Sequence, residues 1–280
     1  ILDPDRKKMS KSKGNVVTPM GLFEQHGTDA VRYWAASARP GVDTAFSEDQ
    51  MKVGRKLANK LLNVSKFVLS FGEVDMSTTV QQAVTDPIDR SMLAKVDAVI
   101  TEATAGFDGF DYARGLERTE SFFWWFCDNY VELVKNRAYE AMGPDAATSA
   151  RRALREALSS LQRLLAPFLP FATEEAWSWW HDTSIHATGW PTGSDVGGDA
   201  TLIDPTIDAL TLVRRAKSEA KVSQRAEVSS VEIAAPVATH AALEAGRADL
   251  AAAGTIADIT ITDAADSSLD CVVTIAPSDG

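Results

Sequence analysis

The sequence predicts a mainly α protein: an antiparallel helix bundle, preceded by a short connecting segment and followed by a small α/β module. Three observations predict it. Apolar residues recur every three to four positions over long stretches between residues 47 and 182, Gly and Pro breaks such as Gly143-Pro144 divide those stretches, and period-two alternation is confined to the last part of the chain. Successive amphipathic helices joined by short breaks bury their stripes most simply against one another. The chain has 280 residues, 45% hydrophobic and 24% charged, which suits a folded protein with two or three modest cores.

The first element is the loop Lys8-Met9-Ser10-Lys11-Ser12-Lys13-Gly14-Asn15. Ammonium groups at Lys8 and Lys11, hydroxyls at Ser10 and Ser12 and a flexible Gly14 suit a mobile loop that closes over a polyphosphate. Lysines act on phosphate as point charges, while hydroxyls and loop N–H groups supply directed donors. Such a loop stabilises charge that grows on a pyrophosphate leaving group. The plain alternative is a solvated basic segment.

Met20 to His26 reads as a short helix stopped by Gly27, and Thr28 or Asp29 is placed to cap a second helix over Ala30 to Ala38, ended by Arg39-Pro40-Gly41. Val31 and Trp34 share its inward face, with Tyr33 beside them. His26 has no acid or nucleophile for company and reads as a surface or capping residue. Ser47-Glu48 opens a helix to about Phe71, with Val53, Leu57, Leu61, Val64 and Val68 inward and a basic opposite face. On that face Arg55, Lys56 and Lys60 are candidates for contact with nucleic-acid phosphate.

Met76 to Val84 reads as a loop. Pro87 suits the first turn of a helix reaching about Ala105, with Leu93, Val96, Val99 and Ile100 inward. After Gly106–Gly109, Asp111 starts a helix to Tyr139 whose centre, Phe122-Phe123-Trp124-Trp125-Phe126, is the densest aromatic run in the chain. Five consecutive positions cover more than one helix face, so bundle core outweighs base stacking, which needs an accessible basic frame. Ala146 to Trp180 carries a helical pair divided at Pro167 and Pro170. Leu154, Leu158, Leu161 and Leu165 point inward, Phe171, Trp177 and Trp180 are expected to fill an interhelical core, and Arg151 and Arg155 are further phosphate candidates. His181 and His186 lack the companions of a four-ligand zinc site, so no metal is expected.

A Gly/Thr/Asp/Pro linker over 187–203 leads to a helix from Pro205 to about Ala220 whose basic face carries Arg214, Arg215, Lys217 and nearby Lys221; Arg214, Arg215 and Lys221 are the candidates for RNA contact. Strands at Val228–Ile233, Ile256–Ile261 and Leu269–Ile275, with an Ala-rich helix between the first two, complete the small module. The domain organisation is therefore 1–46, 47–186, linker 187–203 and 204–280. Cys127 and Cys271 fall in segments that read as separate domains and suggest buried thiols in a reducing cytoplasm. No apolar run approaches the roughly 20 residues that cross a bilayer.

Net charge is -11, yet residues 1–60 carry +4 and the remainder -15. A nucleic-acid binder needs cations where the phosphates lie, not a positive total. From Val228 onward only Arg247 is basic, which turns that end away from RNA.

The stretch Lys8 to Ser12 resembles the signature loop of class I aminoacyl-tRNA synthetases. Its continuation through Gly14-Asn15-Val16-Val17-Thr18-Pro19 and Gly27-Thr28-Asp29-Ala30-Val31-Arg32-Tyr33-Trp34 resembles the subgroup for branched aliphatic amino acids, and Gly41-Val42-Asp43-Thr44-Ala45-Phe46 with Asn59-Lys60-Leu61-Leu62-Asn63 is most similar to its valine-specific branch. Leu165 to Phe171 with Glu174-Glu175 and Trp177 resembles the anticodon-binding domain of that subgroup. The resemblance implies an enzyme that activates valine with ATP and Mg2+ and transfers it to tRNA(Val), a cytoplasmic monomer, with Lys8 and Lys11 on the ATP phosphates and Ser10 and Ser12 shaping the loop or donating hydrogen bonds. It also implies that the nucleotide-binding sheet, the amino-acid pocket and the editing domain precede residue 1. The chain is then a C-terminal fragment, inactive alone and expected to hold no cofactor by itself. The alternatives are the corresponding fragment of an isoleucine- or leucine-specific relative, and a stand-alone RNA-binding or interaction bundle.

Overall fold

The computed structural model describes residues 1–264 and 268–277. It is mainly α-helical with a small C-terminal sheet, and among the described residues it forms two compact units. One comprises residues 1–72, 96–124 and 155–193; the other comprises 73–95, 125–154 and 194–280.

The first unit opens on the lysine loop, with a 3-10 turn at Lys11–Lys13, followed by helices α1 (Pro19–His26), α2 (Thr28–Ala36) and α3 (Glu48–Leu69). Ser47 caps α3 by accepting the Gln50 N–H, and Met51, Leu57, Leu61, Val64 and Val68 form its buried stripe. Met51 and Gly54 take the place expected for half-buried Val53, because Tyr33 of α2 lies where a Cβ on Gly54 would stand, 2.6 Å from its own Cβ. Val31, Tyr33 and Trp34 are buried as their spacing requires. His26 is buried too, rather than at the surface, with Nε2 3.6 Å from Glu48.

Neither Thr28 nor Asp29 caps α2; Gly27 does, at φ +87°. Asp29 instead caps a helix far along the chain. Its carboxylate accepts the N–H groups of Phe171 (3.2 Å) and Ala172 (2.7 Å), which open α9 (Pro170–Ser178). Burial pushes its pKa up, against the opposing pull of those two N–H groups. Trp177 is buried and Trp180 half-buried, but Phe171 is 63% exposed, against the expectation that all three fill the core. Asp29 anchors the first turn of α9 with that ring outward.

Between 73 and 86 the chain is not all loop: Thr79 and Gln82 form a capping box on the single turn α4 (Val80–Ala83). Helix α5 runs Pro87–Asp108, passing through Gly106, and α8 runs Pro144–Leu165. The helix expected over 111–139 is α6 (Tyr112–Trp125), a π-helical turn (Phe126–Tyr130) and α7 (Val131–Ala138). A π turn advances the register by an extra residue. Phe123, Phe126 and Tyr130 are all fully buried around it, so the aromatic run is core, with Trp124 and Trp125 half-buried.

In the second unit α10 (Asp204–Glu219) and α11 (Val237–Gly254) accompany a sheet of order β2-β1-β3: β1 is Val228–Ala235, β2 Ile256–Asp263 and β3 Asp270–Ile275. β1 pairs in parallel with β2, which requires α11 as the crossover, and antiparallel with β3. Cys127 and Cys271 both belong to this unit. Lys217, expected on a basic surface, is 1% exposed; its Nζ donates to the carbonyls of Gln224 (3.0 Å) and Gly254 (2.8 Å), ending α11.

The unit is also tied at one ionic hub. Arg137 of α7, 2% exposed, donates to both oxygens of Asp89 in α5 (2.6 and 2.8 Å) and to both of Asp249 in α11 (2.8–3.1 Å). Asp89 also accepts from Tyr130 and Ser149, each at 2.7 Å. The five donors of one planar guanidinium can engage both oxygens of two carboxylates at once, more than the three donors of a lysine allow.

Candidate functional site

The lysine loop is a braced turn. Leu2 bridges Lys8 in antiparallel fashion and Ala45 in parallel fashion, tying the turn's base to the segment before α3. Asp3, 7% exposed, accepts the Lys7 N–H (2.7 Å) and Asn15 Nδ2 (2.9 Å). Asn15 accepts the Ser10 N–H through Oδ1 (2.9 Å) and also donates to the Lys8 carbonyl (3.3 Å). Ser10 Oγ accepts the Lys13 N–H and lies 3.1 Å from Ser12 Oγ, and Gly14 closes the turn at φ +67°. The Lys7 N–H, then Asn15, hold the Asp3 carboxyl below its ordinary pKa.

Lys8, Lys11, Ser12 and Lys13 face solvent on this frame. Ammonium and hydroxyl groups fit the phosphates of ATP. They do not form a carboxylate set for Mg2+, which would arrive on the nucleotide. Among the described residues no group of three or more His, Cys, Asp or Glu side chains is placed to hold a metal. Sequence reasoning singled out the cations and hydroxyls as candidates but assigned no role to Asp3 and Asn15, which shape the turn. The only local sign was an Asn directly after a glycine that takes the left-handed conformation.

The basic candidates separate into three sets. On α3, Arg55 and Lys56 are exposed; Arg55 Nη1 donates to the Gln25 carbonyl (3.1 Å), and half-buried Lys60 lies 5.8 Å from the Trp124 ring centroid. At the end of α10, Arg214 donates to the Asp128 carbonyl (3.0 Å), Arg215 pairs with Glu219 (2.7 Å) and Lys221 is exposed at φ +57°. Arg151 and Arg155 serve the fold instead. Arg151 holds the Ala138 carbonyl (2.8 Å) and Glu140 (2.9 Å). Arg155, 7% exposed, donates to the Gly72 carbonyl (2.8 Å) and lies 5.1 Å from the Trp180 ring centroid. Burial lowers its pKa, and that burial takes it out of the phosphate-contact set.

The family model described as "Anticodon-binding domain of tRNA ligase" matches residues 89–233, more than half of the chain. The chain belongs to this family. Residues 1–47, which include the lysine turn, match the model described as "tRNA synthetases class I (I, L, M and V)". Around its anticodon-binding domain the chain is 52% identical over 284 residues to the valine--tRNA ligase of Thermobifida fusca, covering 100% of this chain and 32% of that protein. It is 50% identical to that of Salinispora tropica (94% and 33%) and 45% identical to that of Bifidobacterium longum (91% and 31%). The chain thus spans about a third of the length of these curated relatives. A solved LeuRS of Agrobacterium radiobacter K84, in a ternary complex with tRNA and LeuAMS, matches 70% of this chain and 23% of its own, with TM-score 0.57 and 22% identity. At that identity the likeness is one of fold.

Proposed function

We propose that this chain supplies the ATP-phosphate loop and the tRNA anticodon-binding domain of a valine--tRNA ligase. The whole enzyme activates valine with ATP and transfers it to tRNA(Val), working as a cytoplasmic monomer. Residues 1–46 carry the loop and connecting helices, 47–186 the anticodon-binding bundle and 204–280 the accessory module. The observation that carries the reading is the exposed Lys8 and Lys11 pair on a turn pinned by Asp3 and Asn15. A fixed frame presents charge to a phosphate without reorganisation at the moment of reaction, which is where electrostatic catalysis draws its strength. Lys11 faces the transferring group and Lys8 the neighbouring phosphate, with Ser10 and Ser12 as turn-shaping donors.

The chain alone does not form adenylate. Among the described residues its one sheet has three strands and belongs to the C-terminal module, so no doubly wound sheet faces the lysines. On the RNA side, Arg55, Lys56 and Lys60 with Arg214, Arg215 and Lys221 meet backbone phosphates, and binding weakens steeply with salt. In the longer enzyme, Lys11→Ala lowers ATP–pyrophosphate exchange by about 100- to 1000-fold, the loss typical of one transition-state donor. Unchanged exchange in that variant, or exchange by the 280-residue chain alone, overturns the reading.

A further inference from the structure

Phe171 stands 63% exposed at the start of α9, fixed there because the N–H groups of Phe171 and Ala172 are both taken by Asp29. Phe171 lines two clefts that also share Phe23 and Thr28. One, of about 560 Å3, is walled by Phe23, Val31, Ala35 and Pro170; the other, of about 370 Å3, is reached by Arg55 and Asn59.

Three basic side chains line these clefts with Phe171, each braced on a backbone carbonyl. Arg32 Nη2 donates to Pro167 O (2.9 Å), Arg55 Nη1 to Gln25 O (3.1 Å), and His186 Nε2 lies 3.1 Å from Pro170 O. Arg32 and Arg55 are exposed, so each guanidinium is oriented by one bond and keeps further N–H donors for the solvent side. Opposing charge is limited. Asp29 is buried and occupied by N–H groups, Glu174 is 3.9 Å from His186, and Glu24 lines the smaller cleft.

We propose that Phe171 is a stacking platform for an unpaired nucleotide of bound tRNA, with Arg32 and Arg55 on the flanking phosphates. This rests on the tRNA-binding reading above. An exposed aromatic ring on the lining of two clefts offers a π surface on which bases stack, and the guanidiniums that line the same clefts suit phosphate. An apolar protein segment would fill the clefts but leave Arg32 and Arg55 facing it without counter-charge. Phe122, Phe123 and Phe126 of the aromatic run have no such role, since they are buried.

The test is binding of the 280-residue chain to a tRNA(Val) transcript across a salt series. Circular dichroism confirms that each variant is folded. Phe171→Ala should weaken binding by about 5- to 100-fold, the loss expected for one base–aromatic stack, without changing the salt slope. Phe171→Trp should restore it. Arg32→Gln and Arg55→Gln should each reduce the salt slope by about one. Wild-type binding with Phe171→Ala unchanged overturns this inference and leaves tRNA recognition standing. Loss of binding that Phe171→Trp does not restore also overturns it. No wild-type binding at low salt overturns both.

Discussion

Removing the Arg137 guanidinium tests what holds the second unit together. Arg137→Met keeps the length of the stem but, among the described residues, leaves Asp89, fully buried, with the side chains of Tyr130 and Ser149 alone and Asp249 without its charged partner from α7. Breaking a buried ion pair by deleting one partner costs about 3–5 kcal/mol, because the uncompensated charge remains in place. Asp249 supplies a pH signature. Burial, only partly offset by Arg137 and reinforced by Asp89 and Asp86, raises its pKa from 3.8 to about 6. The folded chain therefore keeps a proton that the unfolded chain has released. The stabilising contribution is complete below pH 3.8 and is lost as pH rises through about 6. A shift of that size corresponds to about 3 kcal/mol, at ~1.36 kcal/mol per pH unit. Asn at 249 imitates the protonated acid, so Asp249→Asn should gain about 2–3 kcal/mol on the wild type between about pH 4 and about pH 7. Urea unfolding followed by far-UV circular dichroism at several pH values measures both effects. A pH-independent difference between Asp249→Asn and wild type would refute the account of the hub, as would an Arg137→Met chain that unfolds at the wild-type urea concentration.

Asn15→Ala should lower ATP–pyrophosphate exchange in the longer enzyme by about 10- to 100-fold through misplaced lysines, since displacements of about 1 Å carry such losses. The unfolding midpoint of the 280-residue chain should shift little, and unchanged exchange would show that Asn15 does not position the turn. Asp29→Ala should cost about 1–2 kcal/mol, as loss of a helix cap does, read from denaturant unfolding. Gly54→Ala drives a methyl into Tyr33 between α2 and α3 and should cost about 1–3 kcal/mol in the same assay.

Much of the bundle is legible in the chain because its signals are local. Leu57, Leu61, Leu154, Leu158 and Leu161 repeat with the helical period and are all buried, and Ser47 announces the start of α3. The signature lysines are legible for the same reason: they are consecutive. Phe171, Lys217 and Asp29 were misplaced because each one's environment is set by residues distant in the chain. Composition puts an aromatic in the core and a lysine on the surface. A carboxylate 142 residues away turns Phe171 outward, and the end of α11 draws Lys217 inward.

The sequence by itself determined where most helices and strands form, which loop gathers the lysines and hydroxyls, and the family to which the chain belongs, since periodicity, caps and motifs act within a few residues. Only the tertiary structure decided which charges remain at the surface. Asp3 meets Asn15 across 12 positions, and Arg137 meets Asp89 and Asp249 across 48 and 112. Such pairings depend on the packing of whole helices, and a pattern of neighbours along the chain carries no record of them.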